Sequence, residues 1–102
     1  MASRLELQRE LETLLGSRNV YFQSPKSGSM KYPCIRYSLS DIDHKRANNR
    51  IYGSINKYEV IIMDLDPDSE IHTKLLEHFQ TCSFERFYVS DNLNHFVCTL
   101  YY

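Results

Sequence analysis

Cys34, Cys82 and Cys98 are the strongest nucleophiles in the chain. A thiol becomes catalytic when a base stands beside it and a positive environment stabilises the thiolate. Cys34, in YPCIRY, and Cys98, in FVCTLYY, fall in runs that read as β-strands and bring neither. Cys82 falls in a helix-to-strand loop near His78 and is the best placed of the three. All three read as structural thiols. Their odd number and wide spacing point to free cysteines in a reducing compartment. With no C-x-x-C pair, the spacing of a zinc site or a thioredoxin-like motif is missing.

The acidic run DLDPDSE, residues 64–70, imitates the start of a calcium loop. It departs from one at Pro67, at Ser69 where a glycine makes the sharp turn, and at Leu75, which cannot coordinate calcium. The carboxylates fit better as a strand end followed by a helix start. His44, His72, His78 and His95 read as exposed surface residues, and His72 and His78 are six apart, off the spacing of a shared helix face. There is no G-x-S-x-G, and three glycines hardly allow a phosphate-cradling loop. These residues predict no catalytic group, no metal and no cofactor.

Contact chemistry is better represented. His44, Lys45, Arg46 and Arg50 form a basic cluster, with Tyr52 beside it and Asp41 and Asp43 partly neutralising it. Such a cluster suits a phosphate or an acidic protein surface. The chain lacks the aromatic-basic pattern of a nucleic-acid module, so a protein partner is the expectation. Eight tyrosines and no tryptophan complete the set. Tyrosine packs a core with its ring and meets a partner with its hydroxyl. His44, Lys45, Arg46, Asn49, Arg50, Tyr52, Tyr101 and Tyr102 are the candidate contact residues.

The elements that must position them follow from periodicity and punctuation. Ser3 and Glu6 make a capping box, Leu7, Leu11, Leu14 and Leu15 follow at helical spacing, and Gly16 ends the run. This predicts a helix at about 3–15. RNVYFQS reads as a short strand around 19–23, and SPKSGSMKYP as a loop. From Cys34 to Ser40 the pattern alternates: Ile35, Tyr37 and Leu39 on one face, Cys34, Arg36, Ser38 and Ser40 on the other. Residues 41–53 are polar and read as a protruding hairpin tip, with Ala47, Asn48 and Asn49 near the apex. The return strand is expected at about 55–65. Asp66 as N-cap and Pro67 at N1 announce a second helix whose buried stripe is Ile71, Leu75, Leu76 and Phe79. Two strands, about 84–89 and 95–101, close the chain around DNLN. The order α-β-β-β-α-β-β predicts an α+β fold: a mainly antiparallel sheet of about four to five strands with two helices on one face.

The whole chain bounds the function further. Its 102 residues make a single domain, with 12 basic against 13 acidic residues and a net charge of −1. That balance calls for neither nucleic acid nor an anionic membrane. The charged, amphipathic start MASRLELQRELE reads as neither signal peptide nor membrane span, so no membrane association is expected.

The capped leucine-rich helix, the V-Y-F strand, K-Y-P-C-I-R-Y leading a long hairpin, the K-Y-E-V-I-I-M-D strand, D-P-D-S and the final N-L-N-H-F-V-C-T-L-Y-Y together resemble the tail terminator (tail completion, head–tail joining) proteins of long-tailed bacteriophages. The most recognisable part is Lys31 to Tyr37. The resemblance implies a structural virion protein, made in the bacterial host cytoplasm, without catalysis. It implies a ring, usually a hexamer, that caps the tail tube. The implied partners are copies of itself, the major tail protein and the head connector, with DNA at most passing through the lumen. The family offers no active-site residues to carry over. The alternative is a monomeric or dimeric phage-encoded adaptor or neck module, also acting by binding.

Overall fold

The computed structural model describes residues 4–23, 31–47 and 50–102, with side chains left aside for 43–47 and 50–54. Seven elements follow the order expected: α1 (Arg4–Leu15), β1 (Val20–Phe22), β2 (Cys34–Ala47), β3 (Arg50–Asp64), α2 (Ile71–His78), β4 (Cys82–Ser90) and β5 (Leu93–Tyr101). The strands form one five-stranded sheet in the order β1-β2-β3-β5-β4. All neighbouring pairs are antiparallel except β1 with β2, where Val20 stands beside Ile35 and Phe22 beside Tyr37. The fold is α+β.

Alternation along the strands sorts the sheet into two faces. One carries Ile35 and Tyr37 of β2, Tyr58, Val60 and Ile62 of β3, and Phe96, Cys98 and Leu100 of β5. Both helices lie on it, inserting Leu7, Leu11, Leu75 and Phe79. The other carries a smaller buried group of Cys34, Ile61, Met63 and Val97, with Tyr21 against it. Burial of about a dozen apolar side chains on the helical face is the main stabilising term, at roughly 25 cal/mol per Å².

α1 ends where expected. Gly16 takes φ +79°, in the left-handed region glycine enters without a Cβ clash, and its N–H donates to the Glu12 carbonyl at 2.9 Å. The Ser3 half of the capping box lies outside the described residues.

α2 departs from expectation. It starts at Ile71, with Glu70 at the cap and no side-chain bond there. Asp66 does not cap it. Its carboxylate accepts the N–H of Asp68 at 2.9 Å, and its carbonyl accepts the N–H of Ser69 at 3.3 Å. These Asx and backbone turns consume the donors a helix start would use. Leu76 is only half-buried, whereas Phe79, one residue past the helix, is 7% exposed.

The central hairpin differs too. The polar run 41–53, expected as a tip, continues the strands: Asp41 pairs with Lys57, and pairing runs out to Ala47 with Arg50. The return strand begins at Arg50 rather than near 55. β1 reaches only to Tyr37 on one side, and β5 pairs β3 only from Lys57 onward on the other. Beyond that line, among the described residues, β2 and β3 run on as a two-stranded arm. At roughly 3.3 Å per residue its six pairs, from Ile42 with Asn56 to Ala47 with Arg50, project about 20 Å. The molecule is correspondingly elongated, 50 × 26 × 23 Å.

The last hairpin turns on Asp91 and Asn92, with φ of 53° and 61°. Two successive positive values match the twist of flanking strands, which is why two-residue hairpins favour them. The strands are longer than DNLN suggested, and Cys82 opens β4 instead of lying in a loop.

Candidate interaction surfaces

The cysteines are placed as packing groups. Cys34 and Cys98 are fully buried, and burial pushes the Cys34 thiol up to about 11. Cys98 is raised as well, by its hydrogen bond with Cys82 and by burial. The same contact lowers half-buried Cys82. Among the described residues, no group of three or more His, Cys, Asp or Glu is placed to hold a metal ion.

Of the histidines, His78 is exposed and meets Glu10 at 3.2 Å. His95, expected to be exposed, is half-buried because it stacks on Tyr88 with ring centroids 4.5 Å apart. His72 corrects the expectation of an exposed side chain. It is half-buried, lies flat on Phe96 at 4.5 Å, and holds its Nδ1 buried without a hydrogen-bond partner. The side chain of His44 lies outside the described residues.

Three polar residues of α1 tie elements together. The Tyr37 hydroxyl donates to Gln8 Oε1 at 2.6 Å and accepts from Arg4 at 3.2 Å, while Gln8 Nε2 donates to the Val20 carbonyl at 2.9 Å. Glu10 joins α1 to α2 through His78, and to the chain's last residue through the Tyr102 hydroxyl at 2.5 Å. Desolvation, the hydrogen bond to Glu10 and nearby Glu6 push Tyr102 up to about 12. Gln8 and Glu10 lie off the leucine stripe of α1. Helical periodicity marks the apolar stripe but not which polar neighbours flank it closely enough to bond across.

The candidate contact residues divide into two groups. Lys45, Arg46, Arg50, Tyr52 and His44 have backbones on the arm, near its outer end, and Asn49 lies outside the described residues. The second group sits at the end of β5. Tyr101 and Tyr102 are half-buried beside the base of the arm: Tyr101 pairs with Lys57, and the Tyr102 N–H donates to the Asn56 carbonyl at 2.9 Å. Tyr102 also packs edge-on against Phe79 at 6.0 Å. Its hydroxyl and ring are therefore used inside the subunit.

Compared with known families and with curated proteins, the chain matches no family model and no curated protein.

A surface that sequence reading did not single out lies on β4. This strand ends the sheet among the described residues. Phe84 and Phe87 are each 45% exposed and Val89 is 60% exposed. Phe84 lies opposite Cys98 and Phe87 opposite Phe96, on the helical side of the sheet. α2 reaches only their inner edge, with His72 6.0 Å from Phe84. The opposite face of the strand carries Glu85, which accepts from Thr99 at 3.3 Å, and Arg86, which lies 5.7 Å over the Tyr88 ring. The signal was the odd spacing of Phe84 and Phe87. Three apart, they share a sheet face only if one residue is bulged out, and a register shift between Phe84 and Arg86 does that.

Two adjoining clefts lie between the helices, one of about 240 Å³ lined by Arg9, Glu10, Thr13, Leu14 and His78, and a shallower one of about 470 Å³ lined by Thr13, Leu14, Lys74, Glu77 and His78. No helix of the described residues is long and apolar enough to cross a membrane.

Proposed function

We propose that this chain is a structural subunit of a bacteriophage tail, of the tail terminator kind. Copies of it close into a ring, a hexamer, that caps the tail tube and docks the head connector. The subunit acts through surfaces and carries no catalytic step. The observation that supports this reading best is the arm. Among the described residues, two strands, Ile42–Ala47 and Arg50–Asn56, run past the rest of the sheet, and their outer end carries His44, Lys45, Arg46 and Arg50. A two-stranded ribbon with no third strand is marginal alone and gains stability when laid against another surface. In a ring that surface belongs to the next subunit. Such an interface is heterologous and closes when the rotation per subunit divides the circle.

The test is deletion of residues 44–50. The core contacts lie below the arm, so the shortened chain folds, with a Tm close to the parent's by circular dichroism. It no longer forms the rings that the parent shows by negative-stain microscopy. Rings of unchanged size from the shortened chain contradict the proposed role of the arm. A parent chain that stays monomeric and binds one tail or head protein supports the adaptor reading instead.

A further inference from the structure

β4 is an unusual edge strand. Sheet edges are normally blunted by charge, proline or brevity, because a bare row of N–H and C=O groups recruits another strand. Here the outer strand is nine residues long, CSFERFYVS, with no proline and one residue of each charge. Its bulge sets an unusual phase. Cys82, Phe84, Phe87 and Val89 face the helical side. Glu85 and Arg86, adjacent in sequence, both face the other side, together with Ser83 and Tyr88.

That phase makes the strand complementary to itself. When a second copy lies antiparallel with Phe84 opposite Phe87, Glu85 falls opposite Arg86, Ser83 opposite Tyr88 and Cys82 opposite Val89. Every pair joins residues on the same face. A strand without the bulge has strict alternation, and this register would oppose up-facing to down-facing side chains. By the two-fold symmetry each contact occurs twice: two Phe84–Phe87 pairs on the helical side, and two Glu85–Arg86 ion pairs on the other. A dyad perpendicular to the sheet keeps both helical layers on one side, so the exposed phenylalanines of both copies meet between them. Cross-strand aromatic and opposite-charge pairs are the contacts that stabilise antiparallel neighbours.

We propose that β4 pairs with β4 of a second copy of this chain in this register, joining two five-stranded sheets edge to edge. The contact is isologous and does not use the arm, so it stands or falls apart from the ring.

Charge reversal tests it. Glu85→Arg places Arg opposite Arg twice, and Arg86→Glu places Glu opposite Glu twice. Each variant alone weakens pairing by about tenfold or more, read by native mass spectrometry across a dilution series. An equimolar mixture of the two places Arg opposite Glu at both contacts, so it regains pairing as hetero-pairs, and the double variant E85R/R86E pairs with itself again. A mixture that stays unpaired, or single variants that associate like the parent, overturns the proposal. Amide exchange of the unmodified protein gives an independent reading. Protection of residues 83–89 rises with protein concentration if the strands pair, and protection independent of concentration overturns the proposal. Loss of rings on deleting 44–50 with β4 protection unchanged separates a failure of one contact from a failure of the other.

Discussion

Residues buried for packing have chemical consequences that can be measured. Cys34 sits at 0% exposure within the smaller core, paired with Met63 of β3, with its thiol pushed up to about 11 by burial. The neutral thiol is therefore favoured in the folded state. Its stabilising contribution is complete below the ordinary thiol value of 9.0 and is lost as pH rises through about 11. Tyr102 works in the same direction, from 10.0 towards about 12. The melting temperature should accordingly begin to fall above about pH 9 and keep falling to about pH 12. A flat profile over that window would contradict the placement of both groups. In the native protein Cys82, half-buried at the start of β4, should take up a thiol reagent before Cys34 or Cys98, by peptide mapping of a timed alkylation. Tyr37→Phe removes the hydroxyl between Arg4 and Gln8 and leaves the Gln8 carbonyl oxygen without its 2.6 Å donor. A loss of about 1–3 kcal/mol in urea unfolding is expected. At this scale alternation marked Ile35, Tyr37, Tyr58, Val60 and Ile62 as one buried face, but Leu39, assigned to the same face, is 46% exposed, and Cys34 on the opposite face is fully buried in the smaller core. The sequence was silent on which polar groups bond across elements, because Gln8 and Glu10 find partners 29 and 92 residues away in sequence.

Elements with a local signature were the readable ones. The leucines of α1 and its closing glycine, and the paired positive-φ residues between β4 and β5, are set by interactions within a few residues. Where a non-local partner decides, reading failed. β1 is three residues long and joins β2 in parallel because Val20 and Phe22 are held beside Ile35 and Tyr37. Nothing in V-Y-F encodes that direction. The arm read as a loop because its residues are polar, whereas ladder pairing to the facing strand supplies hydrogen bonds whatever the side chain. α2 was read four residues too early because Asp66 can cap a helix or close an Asx turn, and here it closes the turn. α1 is held by buried leucines more than by its exposed charges, so Leu11→Ala, at a fully buried position, should cost about 2–5 kcal/mol in chemical denaturation. Glu10→Gln, on a pair that is 44% and 39% exposed, should cost much less. Equal losses would mean that the ion pair, and not the apolar stripe, docks the helix.

At the scale of the molecule, a chain of 12.1 kDa presents a two-stranded arm and a self-complementary edge along the outer strand of its sheet. The two surfaces call for different symmetries. The arm suits a heterologous contact that repeats around a ring, and the edge suits an isologous contact that pairs two copies. Because their determinants lie on different strands, variants at Glu85 and Arg86 should leave ring closure intact, and deletion within the arm should leave pairing intact. Native mass spectrometry of the purified, unmodified chain over a dilution series tests the central reading most directly. The expected result is closed assemblies of about six copies, or twice that number where edges also pair. A chain that goes no further than a dimer at any concentration would contradict the ring.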